Sequence, residues 1–357
     1  MTDKRAEFIA SMHPASFALV MATGIVSNGN QLFGFPWLAV ALWWANVVFY
    51  ITLWILTGIR IVRFPARVVA DISHHGRAVG FFTIVAATEV LGSGALIVQN
   101  AWHLAAALWA IGIVLWAVVT YTVFTALTIK ASKPPLSEGI NGAWLLAVVA
   151  AQSVSVLGAQ VAAGMQGNAQ AVLLFSLCMW LGGGMLYIWI ISLIFYRYTF
   201  FVMSASDLAP PYWINMGAVA ISTLAGATLV GAAASSAVLT DLLPFLKGLT
   251  LLFWATATWW IPMLIILGIW RHVYRRFPLT YDPLYWGAVF PLGMYAVCTF
   301  RLAHAIDTPF LLTISRVFLY VAIAAWSAAM VGLLKMGSGV ISEVVMGSGV
   351  ISARSRK

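Results

Sequence analysis

The sequence predicts an all-α integral membrane protein, one domain of ten transmembrane helices. Three observations carry that expectation. Hydrophobic residues make up 62% of the 357 and charged residues only 8%. The mean hydropathy is +0.97, far above that of a soluble globular domain. The apolar residues also fall in runs separated by connections too short to fold separately.

A helix rises 1.5 Å per residue, so about 20 residues cross the roughly 30 Å hydrocarbon layer. Ten runs reach that length: 13–34, 37–60, 78–99, 102–129, 141–163, 169–196, 212–236, 245–271, 284–305 and 309–334. They define a membrane domain over 13–334, a cytoplasmic N-terminus over 1–12 and a basic tail over 335–357. The tail contains MGSGVIS twice and reads as flexible. MTDKRAEFIA lacks the features of a cleaved signal, so the first span is expected to remain.

The basic residues set the expected orientation. With the N-terminus in the cytoplasm, sixteen of the nineteen Lys and Arg fall on that side and Lys247 alone on the other, with Arg301 and Arg316 left over. That asymmetry is the positive-inside pattern of a multi-pass plasma (inner) membrane protein with both termini cytoplasmic. It also accounts for the +9 net charge without nucleic acid, for which no basic, aromatic soluble face exists. Cys178 and Cys298 lie within spans, form no paired motif and read as buried small hydrophobes.

Aromatic and small residues alternate between spans. Most of the seventeen tryptophans fall in even-numbered spans, such as Trp43, Trp44, Trp259 and Trp260. The odd-numbered spans hold scattered glycines, including Gly24, Gly94, Gly158, Gly226 and Gly293. Large aromatics suit lipid-facing or subunit-facing positions, whereas small residues permit close approach or leave a lumen. Five hairpins are therefore expected, with odd helices around a central path and even helices outside. Pro291 in the ninth span and Pro262 in the eighth each remove a backbone hydrogen bond and are expected to kink their helices.

Charges inside the spans are candidates for function, because each costs about 2.5–3.5 kcal/mol at a helix centre unless paired or wet. Glu89 lies twelve residues beyond Arg77, roughly 18 Å along a helix and near the midplane. Its carboxyl is expected either to carry a proton or to pair with an arginine. Arg316 lies seven residues past Pro309, about 10 Å from the outer end and too deep to snorkel. Arg301 and His304 lie nearer the outer surface. Arg301 either snorkels or lines a path, and a shared cavity with Arg316 would suit a dicarboxylate. The six histidines show no metal-ligand spacing and no paired-carboxylate motif occurs, so neither metal, cofactor nor catalytic cluster is expected.

HPASFALVMATGIVS at 13–27 and VFPLGMYA at 289–296, set in ten spans, resemble the tellurite-resistance/dicarboxylate transporter family. That family includes yeast malate permeases, sulfite efflux pumps and plant slow anion channels. The resemblance implies five hairpins around a central pore, assembly as a homotrimer, a small anionic substrate and no cofactor. It also implies that Phe290, just before Pro291, plugs the pore. Transport of C4-dicarboxylates such as malate, or of oxyanions such as sulfite or tellurite, is the expected function. A chloride or nitrate channel gated by Phe290 is the alternative, and a membrane-embedded enzyme or non-transporting receptor is more remote.

Overall fold

The computed structural model describes residues 4–165 and 167–354. A short α1 (Lys4–Ser11) leads, through a 3-10 turn over Pro14–Phe17, into α2 (Ala18–Leu32). Then follow α3 (Pro36–Arg63), α4 (Pro65–Ile72), α5 (Phe82–Ile97), α6 (Trp102–Ile129), α7 (Leu146–Val161) and α8 (Ala169–Phe200). The chain continues through α9 (Ile214–Gly231), α10 (Leu243–Ile269), α11 (Trp286–Ala305) and α12 (Leu311–Arg354). α12 runs through both copies of the tail repeat, and the last three residues of the expected tail lie outside the described residues.

Nine helical segments among the described residues are long and apolar enough to cross a membrane. The sequence suggests ten, and the difference is the first. α2 has 15 residues, about 22 Å of helix, because the preceding HPASF segment winds as a 3-10 turn instead. His13 caps that turn, its Nδ1 accepting from Ala15 N at 3.0 Å. Thr83 of α5 donates to Pro14 O at 3.2 Å, and a Cβ on Gly80 would lie 2.7 Å from Ala15 N. The motif thus seats the first helix against the third span.

Burial alternates along the chain as the glycine and tryptophan pattern suggests. The apolar stretches of the segments containing α5, α7, α9 and α11 are 72–94% buried, against 17–50% for those of α3, α6, α8, α10 and α12. α2 belongs with the buried set. Each buried helix packs on the next, and α11 packs back on α2, closing a ring of five. At one end of the ring, four connections place Gly34, Asn100, Gly167 and Asp307 in the left-handed region, the conformation that ends a helix and turns the chain.

The tryptophans have a second task that composition did not reveal. Those expected to face outward include several that point inward, onto the next buried helix. Trp109 donates to Val154 O at 3.1 Å and Trp180 to Ser222 O at 2.8 Å. Trp254 donates to Thr299 Oγ1 and Trp326 to Thr23 Oγ1, both at 3.0 Å. Trp43 lies against Gly94, where a Cβ would come 2.6 Å from its ring. The small residues therefore receive indoles and do not simply leave a lumen, while Trp44 and Trp259 remain exposed. Because Trp326–Thr23 ties the last span to the first, Trp326→Phe should cost about 1 kcal/mol, read as a lower thermal midpoint of purified protein. An unchanged midpoint would remove this bond from the closure of the ring.

The opposite end is fastened by charge. Asp71 of α4 is buried between Arg60 Nη2 and Arg77 Nε, both at 2.5 Å. Burial alone would push its carboxyl up, but the two guanidiniums hold it below the usual carboxylate range. Arg60 also donates to Ala10 O at 3.2 Å, fastening α1. Cys298 is buried as expected, but Cys178 is exposed on α8, so it does not act as a core residue.

Candidate permeation site

Two cavities lie on the ring axis. The wider, about 380 Å³, opens at the end carrying Asp71 and is lined by His13, Thr83, Asn141, Arg197, Tyr212 and Gly287 among others. The second holds only about 20 Å³, room for about one water. All five buried helices line it, through Asn28, Glu89, Ser153, Leu224 and Met294, and Arg301 stands at its far end. Beyond it a third cavity of about 320 Å³ includes Gln160, Thr228, Ser235 and again Arg301.

Phe290 belongs to neither lining and is 1% exposed. On α11, Gly287 faces the wide cavity and Met294 the narrow one, so one helical turn either way reaches each space. Phe290 lies between those two positions along the helix and is buried. Pro291 frees the carbonyl of Gly287, which the wide cavity can hydrate. Gly217 of α9 makes room for this stretch, since a Cβ there would come 2.7 Å from Pro291 Cγ. Pro262 lies inside α10, away from the axis on an outer helix.

Glu89 is fully buried, and neither carboxyl oxygen has a hydrogen-bond partner among the described residues. Its carboxyl lies in a notch of α6 left by Gly112, where any Cβ would overlap it. It makes no ion pair among the described residues, so of the two alternatives pairing with an arginine such as Arg316 is not met.

Arg301 and Arg316 do not share a cavity. Ser315, immediately before Arg316, is buried and donates to Ala296 O at 2.5 Å. One further residue turns about 100° around the helix, so Arg316 points outward and is exposed. Its guanidinium lies 5.9 Å from the Phe33 ring. Phe33 packs on Phe300, and Phe300 on His304, which is also exposed. Arg316 and His304 thus belong to an outward aromatic cluster, whereas Arg301 faces the axis.

Arg197 was counted in the sequence only as a marker of sidedness. The structure buries it beside the wide cavity, with Nη1 donating to Ile140 O at 2.5 Å and to Tyr212 Oη at 2.8 Å. Asp207 lies 3.4 Å from Nη2, and hydrogen bonds from Ser204 hold the Asp207 carboxyl below its usual range. A lone arginine in the last turn of α8 was the only signal available in the sequence.

The chain matches the family model described as voltage-dependent anion channel over residues 11–334. It belongs to that family. The resemblance read from HPASFALVMATGIVS and VFPLGMYA is thereby shown. Two uncharacterized transporters of Methanocaldococcus jannaschii are each 25% identical over 303 residues, covering 82% of this chain and 85% and 84% of theirs. An uncharacterized membrane protein of Mycobacterium tuberculosis is 41% identical over 150 residues, 42% of this chain and 75% of its own. Anion transport is the function that family and relatives support in general.

Proposed function

We propose that this protein passes small anions along the ring axis, through a path that Phe290 closes and Arg301 makes attractive to anions. The observation that carries the reading is the pair of axial cavities reached from α11 at Gly287 and at Met294, on either side of Phe290 in the helix, with a guanidinium at the end of the narrow one. Arg301 has no carboxylate partner among the described residues, and such a positive group attracts anions into a narrow passage. In this reading the five buried helices and their outer partners are five hairpins, and α2 with its 3-10 turn makes the tenth crossing. The asymmetry of Lys and Arg favours cytoplasmic termini in a plasma (inner) membrane. The exposed outer faces suit lipid or neighbouring copies in a homotrimer.

Arg197, beside the wide cavity, already faces Asp207 at 3.4 Å. The single unpaired guanidinium left among the described axial residues, Arg301, favours small anions of the sulfite, nitrate or chloride type over malate, whose two carboxylates would use two arginines. A proton-coupled carrier is the second reading, and Glu89 is the observation that favours it. A buried carboxyl without a partner is the group a proton would neutralise inside a membrane.

Flux into proteoliposomes distinguishes these readings. Chloride, nitrate, sulfite, tellurite and malate are offered in turn, with and without a pH gradient. Voltage-driven flux of the small anions, unaffected by the gradient, is expected. Saturable malate uptake that needs the gradient and disappears in Glu89→Gln would establish the carrier instead. No flux of any anion would defeat both.

A further inference from the structure

We infer that the cleft behind the Phe290 helix binds an anionic phospholipid, with an acyl chain between α11 and α12 and its phosphate at Arg271. Two cavities away from the axis meet there. The first, about 360 Å³, is an apolar groove whose walls include Val289 and Leu292 of α11 and Ala325, Ala328 and Ala329 of α12. The second, about 250 Å³, lies between the end of α10 and the start of α9 and contains Arg271 and His272. Leu279, Tyr285 and Ala288 line both, so the spaces adjoin.

Arg271 is an unusual residue to find at such a junction. It is 9% exposed, and its Nε has no hydrogen-bond partner among the described residues. It makes no ion pair there either. One Nη donates to Leu208 O, and the guanidinium lies over Phe277 at 4.3 Å. Asp282, in the adjoining loop, is engaged in capping Leu284 N at 2.8 Å. A nearly buried cation with donor capacity to spare calls for an anion. The backbone around it is a π-turn, Trp270–Tyr274, a distortion frequent at functional sites.

The chemistry of the occupant follows from the two halves. An apolar groove bordered by the exposed Ala328 takes hydrocarbon, and a cavity holding Arg271 beside exposed Arg275 and Arg276 takes a phosphate diester. A free anion has no use for the groove, and a zwitterionic lipid brings its own cation. An occupied groove would rest on the back of the helix that carries Phe290, so lipid composition would bear on the plug.

Binding is measured without any flux, so its result is independent of the transport reading. The purified full-length protein is equilibrated with vesicles of phosphatidylglycerol or phosphatidylcholine bearing the same oleoyl chains, and lipid retained after extraction is counted by native mass spectrometry. About fivefold more phosphatidylglycerol should be kept, and glycerol phosphate alone should not displace it. Arg271→Gln should bring the ratio to about one. Should that variant misfold, Ala328→Trp, which fills the groove without touching Arg271, decides the matter by lowering phosphatidylglycerol retention. Equal retention of both lipids by the native protein, unchanged retention in Ala328→Trp, or displacement by glycerol phosphate would each overturn the assignment.

Discussion

Phe290→Ala should raise anion flux between about tenfold and a hundredfold, the effect of removing ~1.4–2.7 kcal/mol from a barrier. Along α11, Phe290 lies between Gly287, which lines a cavity of about 380 Å³, and Met294, which lines one of about 20 Å³. Truncation joins the two spaces. The helix itself should survive, because Pro291 and Gly217 keep their contact and alanine is a good helix former. A buried Phe→Ala change also costs about 3–5 kcal/mol in a packed core, so expression and thermal midpoint must be read beside conductance. Phe290→Leu should fall between the two. Single-channel or liposome flux at or below the native level, in well-folded Phe290→Ala protein, would remove the plug from this position.

The architecture was legible because membrane burial is written in composition. Charge-poor runs of the right length marked the spans, and glycine against tryptophan marked buried against exposed helices. α2 escaped the rule because hydropathy counts residues and not their winding. His13 and Pro14 open a 3-10 turn, so part of the first apolar run is not α-helix. The inward tryptophans escaped for a different reason. Composition cannot tell which side of an outer helix an indole takes, and Trp43 and Trp44 take opposite burial on adjacent residues.

The site was legible in type more than in geometry. Glu89 was marked by depth alone, and it is fully buried, as expected of a carboxyl that has few ways to reach solvent. For Arg316 depth misled. Arg316 was judged from its distance past Pro309, but azimuth decides what a helical residue faces, and Ser315 takes the inward direction. Arg197 carried no intramembrane signal at all. Its place beside the wide cavity arises from tertiary contacts with Ile140, Asp207 and Tyr212, which come from two separate connections.

Azimuth also sets the last expectation, which reverses the order that depth alone suggests. Arg301→Ala should lower small-anion flux about tenfold, equivalent to ~1.4 kcal/mol of lost attraction, while Arg316→Ala should leave it within about twofold. Arg301 borders both the narrow cavity and the space beyond it, so an anion moving along the axis meets its charge in either direction. Arg316 is exposed beside Phe33 and meets neither space. Arg301→Lys should keep part of the flux, since a wet cavity needs positive charge more than the planar fork of a guanidinium. The effect should weaken as salt rises, because the Debye length falls from about 10 Å at 0.1 M to 3 Å at 1 M. If Arg316→Ala abolishes flux and Arg301→Ala does not, the anion takes a route off the ring axis, and the place to seek it is the outward cluster of Phe33, Phe300 and His304.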